Sequence, residues 1–299
     1  MIELNGLHLL LTYQCTHECD HCFVWGSPYQ SGVMTLEFIR ETLRQVKDLG
    51  TVKWIYFEGG EPFLYYPVML RAIQEAVALG FQTGIVSNGY WAVGQEDALV
   101  ALQPLAGLVQ DLTVSSDLFH WGEDLQRIHA NLVWAAERAG LSLGTISIAQ
   151  PEETCADKVV GQLPEGGSGV MYRGRAAEKL APRVPQAPWQ TFTKCPHEDL
   201  RDPGRVHLDP FGNLHICQGL LMGNLLQVSL REICAAYDPE THPIVAPLLR
   251  GGPAELARQA GIPLAETYAD ACHLCYVTRR ALRQQYPALL GPDQVYGVF

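Results

Sequence analysis

No stretch of the 299 residues approaches the roughly 18 uninterrupted apolar residues of a membrane span. The opening MIELNGLHLLLTYQ also lacks the basic start and small-residue cleavage site of a signal peptide. A cytoplasmic protein with no membrane partner is therefore expected. Positive charge is scarce: 21 Lys and Arg stand against 32 Asp and Glu, a formal charge of −11. That field opposes binding to nucleic-acid phosphates, so no nucleic-acid partner is expected. Internal repeats and low-complexity tracts are missing too. What remains is apolar material, 47% hydrophobic against 18% charged, enough for a large core and, at this length, two domains.

Cysteine is plentiful, at nine residues. The count is odd, the chain is long and the expected compartment is reducing, which argues against a disulfide framework. Seven of the nine fall into clusters, where thiols of a cytosolic chain serve as metal ligands or redox groups.

From residue 3 to about 173, short β-rich runs alternate with amphipathic stretches, the mark of βα units on a parallel sheet. Strands are expected at Gly6 to Thr12, Lys53 to Glu58, Gln82 to Ser87, Leu112 to Ser116, Leu143 to Ile148 and Val170 to Arg173. Leu36, Ile39, Leu43 and Val46 recur at helical spacing, as do Met69, Ile73 and Val77, and Ile128, Leu132 and Ala135. The fifth crossover, Pro151 to Gly169, is rich in Gly and Pro and has room only for a short helix. Three prolines between Ala181 and Pro188 mark a linker, which divides the chain into residues 1–180 and 181–299. Beyond it, Arg205 to Asp209 and Leu214 to Cys217 flank a turn-rich segment and read as a β-hairpin. Short helices follow near Leu230 to Tyr237, Ala254 to Ala260 and Val277 to Tyr286.

Cys15, Cys19 and Cys22 follow the first strand, at the sheet end where open α/β folds gather ligands. The spacing lets one loop wrap three thiolates round a single centre. A closed zinc site needs a fourth ligand, with His17 or His21 at hand, and thiolates alone do not separate zinc from iron. After the second strand comes Gly59-Gly60-Glu61-Pro62, in which paired glycines permit close backbone approach and an acid suits a cation.

Together these segments resemble the radical S-adenosylmethionine (SAM) enzymes, over Leu7 to about Arg173. The resemblance implies an α/β fold, a partial (β/α)6 barrel. It implies that the three cysteines hold three irons of a [4Fe-4S] cluster whose fourth iron takes the amino and carboxylate groups of SAM. It further implies that Gly59, Gly60, Glu61 and Pro62 face the SAM ammonium group. His21 stands where the family usually has an aromatic residue near the adenine. Ser87-Asn88-Gly89 and Ser115-Ser116-Asp117 end the next strands, where the family touches methionine or ribose, and Ser115 is the preferred candidate among them. Arg173-Gly174-Arg175-Ala176 resembles a stretch at the end of the sixth strand in members with extended C-termini. An anion clamp or a domain-joining salt bridge are both open to it.

A second set, Cys195, Cys217, Cys272 and Cys275, is the full complement for one closed [4Fe-4S] cluster or one zinc. It resembles the twitch domain, a shortened relative of the SPASM domain, with Gly212 to Cys217 supplying the family's Gly-x4-Cys pattern. The interval from Cys195 to Gly212 is a little longer than usual. One auxiliary cluster in a small cysteine-rich domain of a β-hairpin plus short helices is the expectation. Cys155 and Cys234 read as small buried residues, or as hydrogen-atom donors to a substrate radical in an epimerase; Lys194 is a weak acid–base candidate.

The implied function is an oxidoreductase of the radical SAM class. It cleaves SAM reductively to a 5′-deoxyadenosyl radical, abstracts hydrogen from a substrate C–H bond, and passes an electron to the auxiliary cluster. An external flavodoxin- or ferredoxin-like reductant is implied as partner. The cysteine loop starts at residue 15, without room for the peptide-recognition domain of many peptide-modifying relatives, so a small-molecule substrate is expected. A ribosomal peptide, matured or epimerised, is the alternative, and a non-catalytic metal-binding or electron-transfer module is the third reading.

Overall fold

The computed structural model describes residues 2–151 and 167–299. In chain order its elements are β1 (Gly6–Thr12), α1 (Leu36–Leu49), β2 (Trp54–Gly59), α2 (Tyr66–Ala78), β3 (Gln82–Ser87) and α3 (Gln95–Leu102). Next come β4 (Asp111–Ser115), α4 (Leu118–Trp121), α5 (Leu125–Ala139), β5 (Leu143–Ile148), β6 (Gly167–Ser168), α6 (Arg175–Lys179) and β7 (Ala187–Pro188). The remainder is β8 (Arg205–Leu208), β9 (Asn213–Cys217), β10 (Leu220–Asn224), α7 (Leu230–Ala236), α8 (Val245–Ala260), β11 (Thr267–Tyr268) and α9 (Ala271–Leu282).

Strands β1 to β6 lie side by side in chain order and parallel, as the alternating βα pattern demands. Their alternation sorts the side chains into two faces. Leu7, Leu9, Leu11, Ile55, Phe57, Ile85, Leu112 and Val114 join Ile39, Leu43, Met69, Ile73, Ile128 and Leu132 in one helix-covered core. Polar residues, among them His8, Glu58, Thr113 and Ser115, alternate with them and fall on the opposite face, the inside of the curved sheet. Helix α1 shows why the local code works. Thr35 caps it by accepting from Phe38 N, Gly50 ends it in the left-handed conformation, and Ile39, Leu43 and Val46 are buried along one side.

The sheet does not stop at the expected boundary. Strand β8 pairs parallel with β1, from Gly6 opposite Arg205 to Leu9 opposite Leu208, and β9 and β10 continue antiparallel. The order is β10-β9-β8-β1-β2-β3-β4-β5-β6. The expected hairpin is present, with a third strand, β10, that sequence reading missed because Gly219 and Gly223 interrupt its apolar pattern. The sixth barrel strand also lies elsewhere than expected. Gly167–Ser168 pairs with Ser147 and Ile148, while Val170 and Tyr172 pack with Ala176, Leu180 and Ala181 in a small cluster of their own. Residues 170–173 are kept out of the sheet because the chain turns there onto the loop after β1, as described below. The long crossover expected between Pro151 and Gly169 lies mostly outside the described residues.

A buried polar knot joins β1 to the C-terminal strands. Asp209, fully buried, accepts from the Tyr13 hydroxyl at 3.0 Å and from the Asn213 amide at 2.9 Å, and lies 3.2 Å from His215 Nε2. Gly219 N donates to His215 Nδ1, which leaves the ring proton on Nε2, facing Asp209. Burial alone pushes the Asp209 carboxyl up, but the His215 and Asn213 hydrogen bonds outweigh it and hold the group below its ordinary value.

Asp209→Asn is expected to lower stability at pH 7 by about 2–5 kcal/mol, since several buried donors lose a charged acceptor. The depressed pKa sets the pH dependence: the carboxylate stabilises the fold above the unfolded value of about 3.9, and that contribution fades as pH falls through the folded value. Urea unfolding at a series of pH values should show the gap between parent and variant narrowing below about pH 4.

Candidate functional site

The first cysteine loop leaves β1 at Thr12 and returns at Met34, whose N donates to Leu11 O at 2.8 Å. Cys15 N donates to Ser27 O and Cys22 N to Cys19 O, so the three cysteines share one tightly wound loop. Gly26 N donates to Cys22 Sγ at 3.2 Å, His17 N to Cys15 Sγ at 3.4 Å and Asn88 Nδ2 to Cys15 Sγ at 3.5 Å.

Gly59-Gly60 docks directly on this loop. Gly60 N donates to Thr12 O at 2.7 Å and Glu61 N to Gln14 O at 2.8 Å. A Cβ on Gly59 stands 2.3 Å from Thr12 O, and one on Gly60 stands 2.1 Å from Gln14 O. Only glycine permits that approach. The Glu61 side chain is wholly buried and committed: it accepts from Ser87 Oγ, from Phe63 N and from Asn88 N at 2.9, 3.0 and 2.7 Å. Burial raises its pKa to about 7. Glu61 thus braces the Ser87–Asn88 turn and caps the short turn of 3-10 helix that Pro62 opens.

Beside the loop, His21 packs on Phe119 and His120, with its Nδ1 buried and without a partner among the described residues. Burial drives its imidazole down to about 4. Ser115 ends β4 opposite Ile146 of β5, at the same end of the sheet. Arg175 donates to Cys19 O at 2.7 Å and to Gly26 O at 2.8 Å, and Asn88 contacts Cys15, partners that the sequence did not show for either residue. The GRA-like stretch and the Ser-Asn-Gly turn were their only signals.

The second set also converges. Cys195, Cys217 at the end of β9, and Cys272 and Cys275 on the first two turns of α9 line one pocket with Arg173 and Arg279. Both guanidiniums are buried. Arg173 Nη1 donates to Cys217 Sγ at 3.0 Å and lies 3.5 Å from Glu198, and Arg279 donates to Gln218 O and to Cys217 Sγ, the latter at 4.0 Å. The Nε atoms of both, and Nε2 of His197, are buried without partners among the described residues. Asp270 caps α9 by accepting from His273 N, which fixes the start of the helix that carries Cys272 and Cys275. The remaining candidates are not gathered here. Cys234 is fully buried on α7 in the main apolar core, Lys194 is exposed, and Cys155 lies outside the described residues.

The eight described cysteines are all free. Burial pushes the Cys15 thiol up to about 12, helped by Cys22 and Glu61, and raises Cys19 further, with Cys22 and Cys15 adding to it. Burial likewise raises Cys195 and Cys272, and takes Cys275 to about 11. Thiols that oppose one another's ionisation suit a strongly cationic centre, which binds them as thiolates. Three in one loop and four round another pocket, with unpartnered guanidinium N–H groups beside the latter, fit an iron–sulfur centre at each place.

Residues 9–130 match the family model described as the Radical SAM superfamily. YydG of Bacillus subtilis (strain 168), whose name places it in peptide biosynthesis, is 31% identical over 111 residues. That is 37% of this chain and 35% of the relative, so the chain spans about a third of the length of the curated relative it matches. Among solved structures, anSMEcpe with bound AdoMet and the Cp18Cys peptide aligns over 95% of this chain and 97% of its own at 10% identity, with a TM-score of 0.50. Streptococcus suis SuiB bound to precursor peptide SuiA aligns over 84% and 67% at 11% identity, with a TM-score of 0.49.

Gly60→Ala is expected to cost about 2–4 kcal/mol, because its Cβ meets Gln14 O, which the hydrogen bond from Glu61 N holds in the cysteine loop. Gly204, with open space around its Cβ, is the control. Gly204→Ala should leave the urea midpoint nearly unchanged while Gly60→Ala lowers it.

Proposed function

We propose, from the match of residues 9–130 to the Radical SAM superfamily, an enzyme with two iron–sulfur centres acting on a substrate C–H bond. Cys15, Cys19 and Cys22 are assigned to a [4Fe-4S] cluster with SAM on its open iron. Cys195, Cys217, Cys272 and Cys275 are assigned to one auxiliary [4Fe-4S] cluster in a twitch-like unit spanning residues 181–299. When bound, the first cluster and SAM supply a 5′-deoxyadenosyl radical that takes a hydrogen atom from an unactivated carbon. The observation that carries the reading is the docking of Gly59-Gly60 on the three-cysteine loop, which brings the two motifs of the family into backbone contact.

The protein's own part is positioning. Gly59 and Gly60 offer their backbone beside the loop, and His21 and Ser115 stand at the same sheet end. Glu61 and Pro62 act by fixing the turn on which Asn88 approaches Cys15. Asn88 and the backbone N–H groups of His17 and Gly26 donate to the sulfurs and steady their negative charge. Arg175 holds the loop closed through the Cys19 and Gly26 carbonyls. At the second pocket, Arg173 and Arg279 place two buried positive charges next to Cys217, a setting that favours acceptance of an electron. That supports oxidation over epimerisation, as does the position of Cys234, sealed in the apolar core. An external one-electron reductant completes the cycle.

For the substrate, the relative named for peptide biosynthesis supports a ribosomally made peptide. The small molecule expected from sequence is the second reading. Among the described residues, no helix is long and apolar enough to cross a membrane.

The test is 5′-deoxyadenosine release by anaerobically reconstituted, reduced protein supplied with SAM. The parent chain is expected to release it and Cys19→Ala to release none, with iron falling from about eight to about four per chain. Cys275→Ala should keep SAM cleavage and lose substrate turnover. Equal release from parent and Cys19→Ala sinks the assignment.

A further inference from the structure

A second cluster of ligating side chains lies on the inner face of the sheet, apart from both cysteine sets. His8 of β1, Glu58 of β2 and His207 of β8 come from three neighbouring strands, with His8 directly opposite His207. His8 Nδ1 is 3.1 Å from one Glu58 oxygen and His207 Nε2 is 3.2 Å from the other. One ligand atom from each residue falls within 4.8 Å of the others. Four residues of strand separate His8 from Thr12, where the cysteine loop departs, a rise of about 13 Å.

We propose that His8, Glu58 and His207 form a binding site for a divalent transition metal, zinc by the chemistry of the donors. The spacing suits it: ligands 2.0–2.1 Å from a tetrahedral ion stand about 3.3 Å from each other, and His8 Nδ1 lies 3.1 Å from one Glu58 oxygen, with His207 Nε2 on the other side of the same carboxylate. Two imidazoles and one carboxylate are a donor set that zinc takes when it keeps an open position. His207 directs Nε2 at Glu58.

The other histidine–carboxylate group, His21, Asp117 and His120, differs in how its carboxylate is engaged. There Asp117 already accepts from Phe119 N, from His120 N and Nδ1, and from Ile148 N. Glu58 has the two imidazoles. His8 also lines a 410 Å³ cavity, with Trp54, Tyr56, His197, Glu198 and Arg205. A water or a carboxylate or carbonyl oxygen of a bound molecule would complete the coordination.

The experiment uses the chain with both cysteine sets loaded anaerobically with iron and sulfide, equilibrated with zinc and desalted. Elemental analysis is expected to find one zinc per chain in the parent, and binding about a hundred-fold weaker in His207→Ala, with iron content unchanged. His207→Gln, of similar bulk, guards against loss through misfolding and should show the same zinc deficit. Zinc X-ray absorption of the parent should show nitrogen and oxygen neighbours only. Absence of zinc from the loaded parent, equal zinc in parent and both variants, or a sulfur-bearing zinc shell each overturns the proposal.

Discussion

The structure turns on one close crossing, where Gly174 passes over the first cysteine loop. Its φ is +61°, and a Cβ there stands 2.5 Å from both Cys22 O and Phe23 Cα. Arg175 N donates to Cys22 O. The two side chains flanking the glycine then part company: Arg175 reaches into the first loop and Arg173 reaches Cys217 in the second pocket. A single tripeptide therefore fixes the two thiol sets relative to each other. Trp25 adds a second tie, since its indole N–H donates to Tyr276 on α9 at 3.0 Å. Any substrate held between the two pockets meets a fixed separation, because neither loop moves without breaking buried hydrogen bonds to charged groups.

This crossing also accounts for what sequence could and could not reveal. The strands from Gly6 to Ile148 were legible to within a residue, and α1, α2 and α5 by their apolar spacing, because each strand alternates against a helix-covered core and α1 carries its caps in the sequence; α3 and α4 were not. Val170 to Arg173 reads as a strand from its β-rich residues, whereas that stretch must leave the sheet for Gly174 to reach the loop. The pairing of β8 with β1 was hidden for a different reason. Parallel pairing across some two hundred residues leaves no local signature, and the three prolines of 182–188 read equally well as a linker or as a path back across the molecule.

The site shows the same division. Cysteine spacing and the paired glycines were visible, since close backbone approach and thiolate gathering both demand particular residue types at fixed intervals. The destination of the Glu61 carboxylate was not. Sequence marked it as an acid near a cation, while the fold turns it inward to Ser87 and Asn88. Arg279 was equally silent, a basic residue late in a helix that reads as solvated until α9 is laid against β9. Three-dimensional juxtaposition gives it a role, and no spacing within the chain announces it.

Charge follows burial through the rest of the molecule. A chain of net charge −11 seats two buried arginines beside one group of thiols, and ordinary surface electrostatics does not explain that choice. Isolated buried cations are costly, and each of these has an Nε left without a partner. The cost is offset if the four cysteines are thiolates round a centre that is itself anionic, for then each guanidinium faces several negative sulfurs at short range. A zinc held by four thiolates carries a fixed charge of about −2, whereas an iron–sulfur cluster gains one more negative charge on reduction. Two permanent cations at contact distance stabilise the reduced form more than the oxidised one, so the same residues that make the empty pocket unfavourable bias its proposed occupant toward taking up an electron.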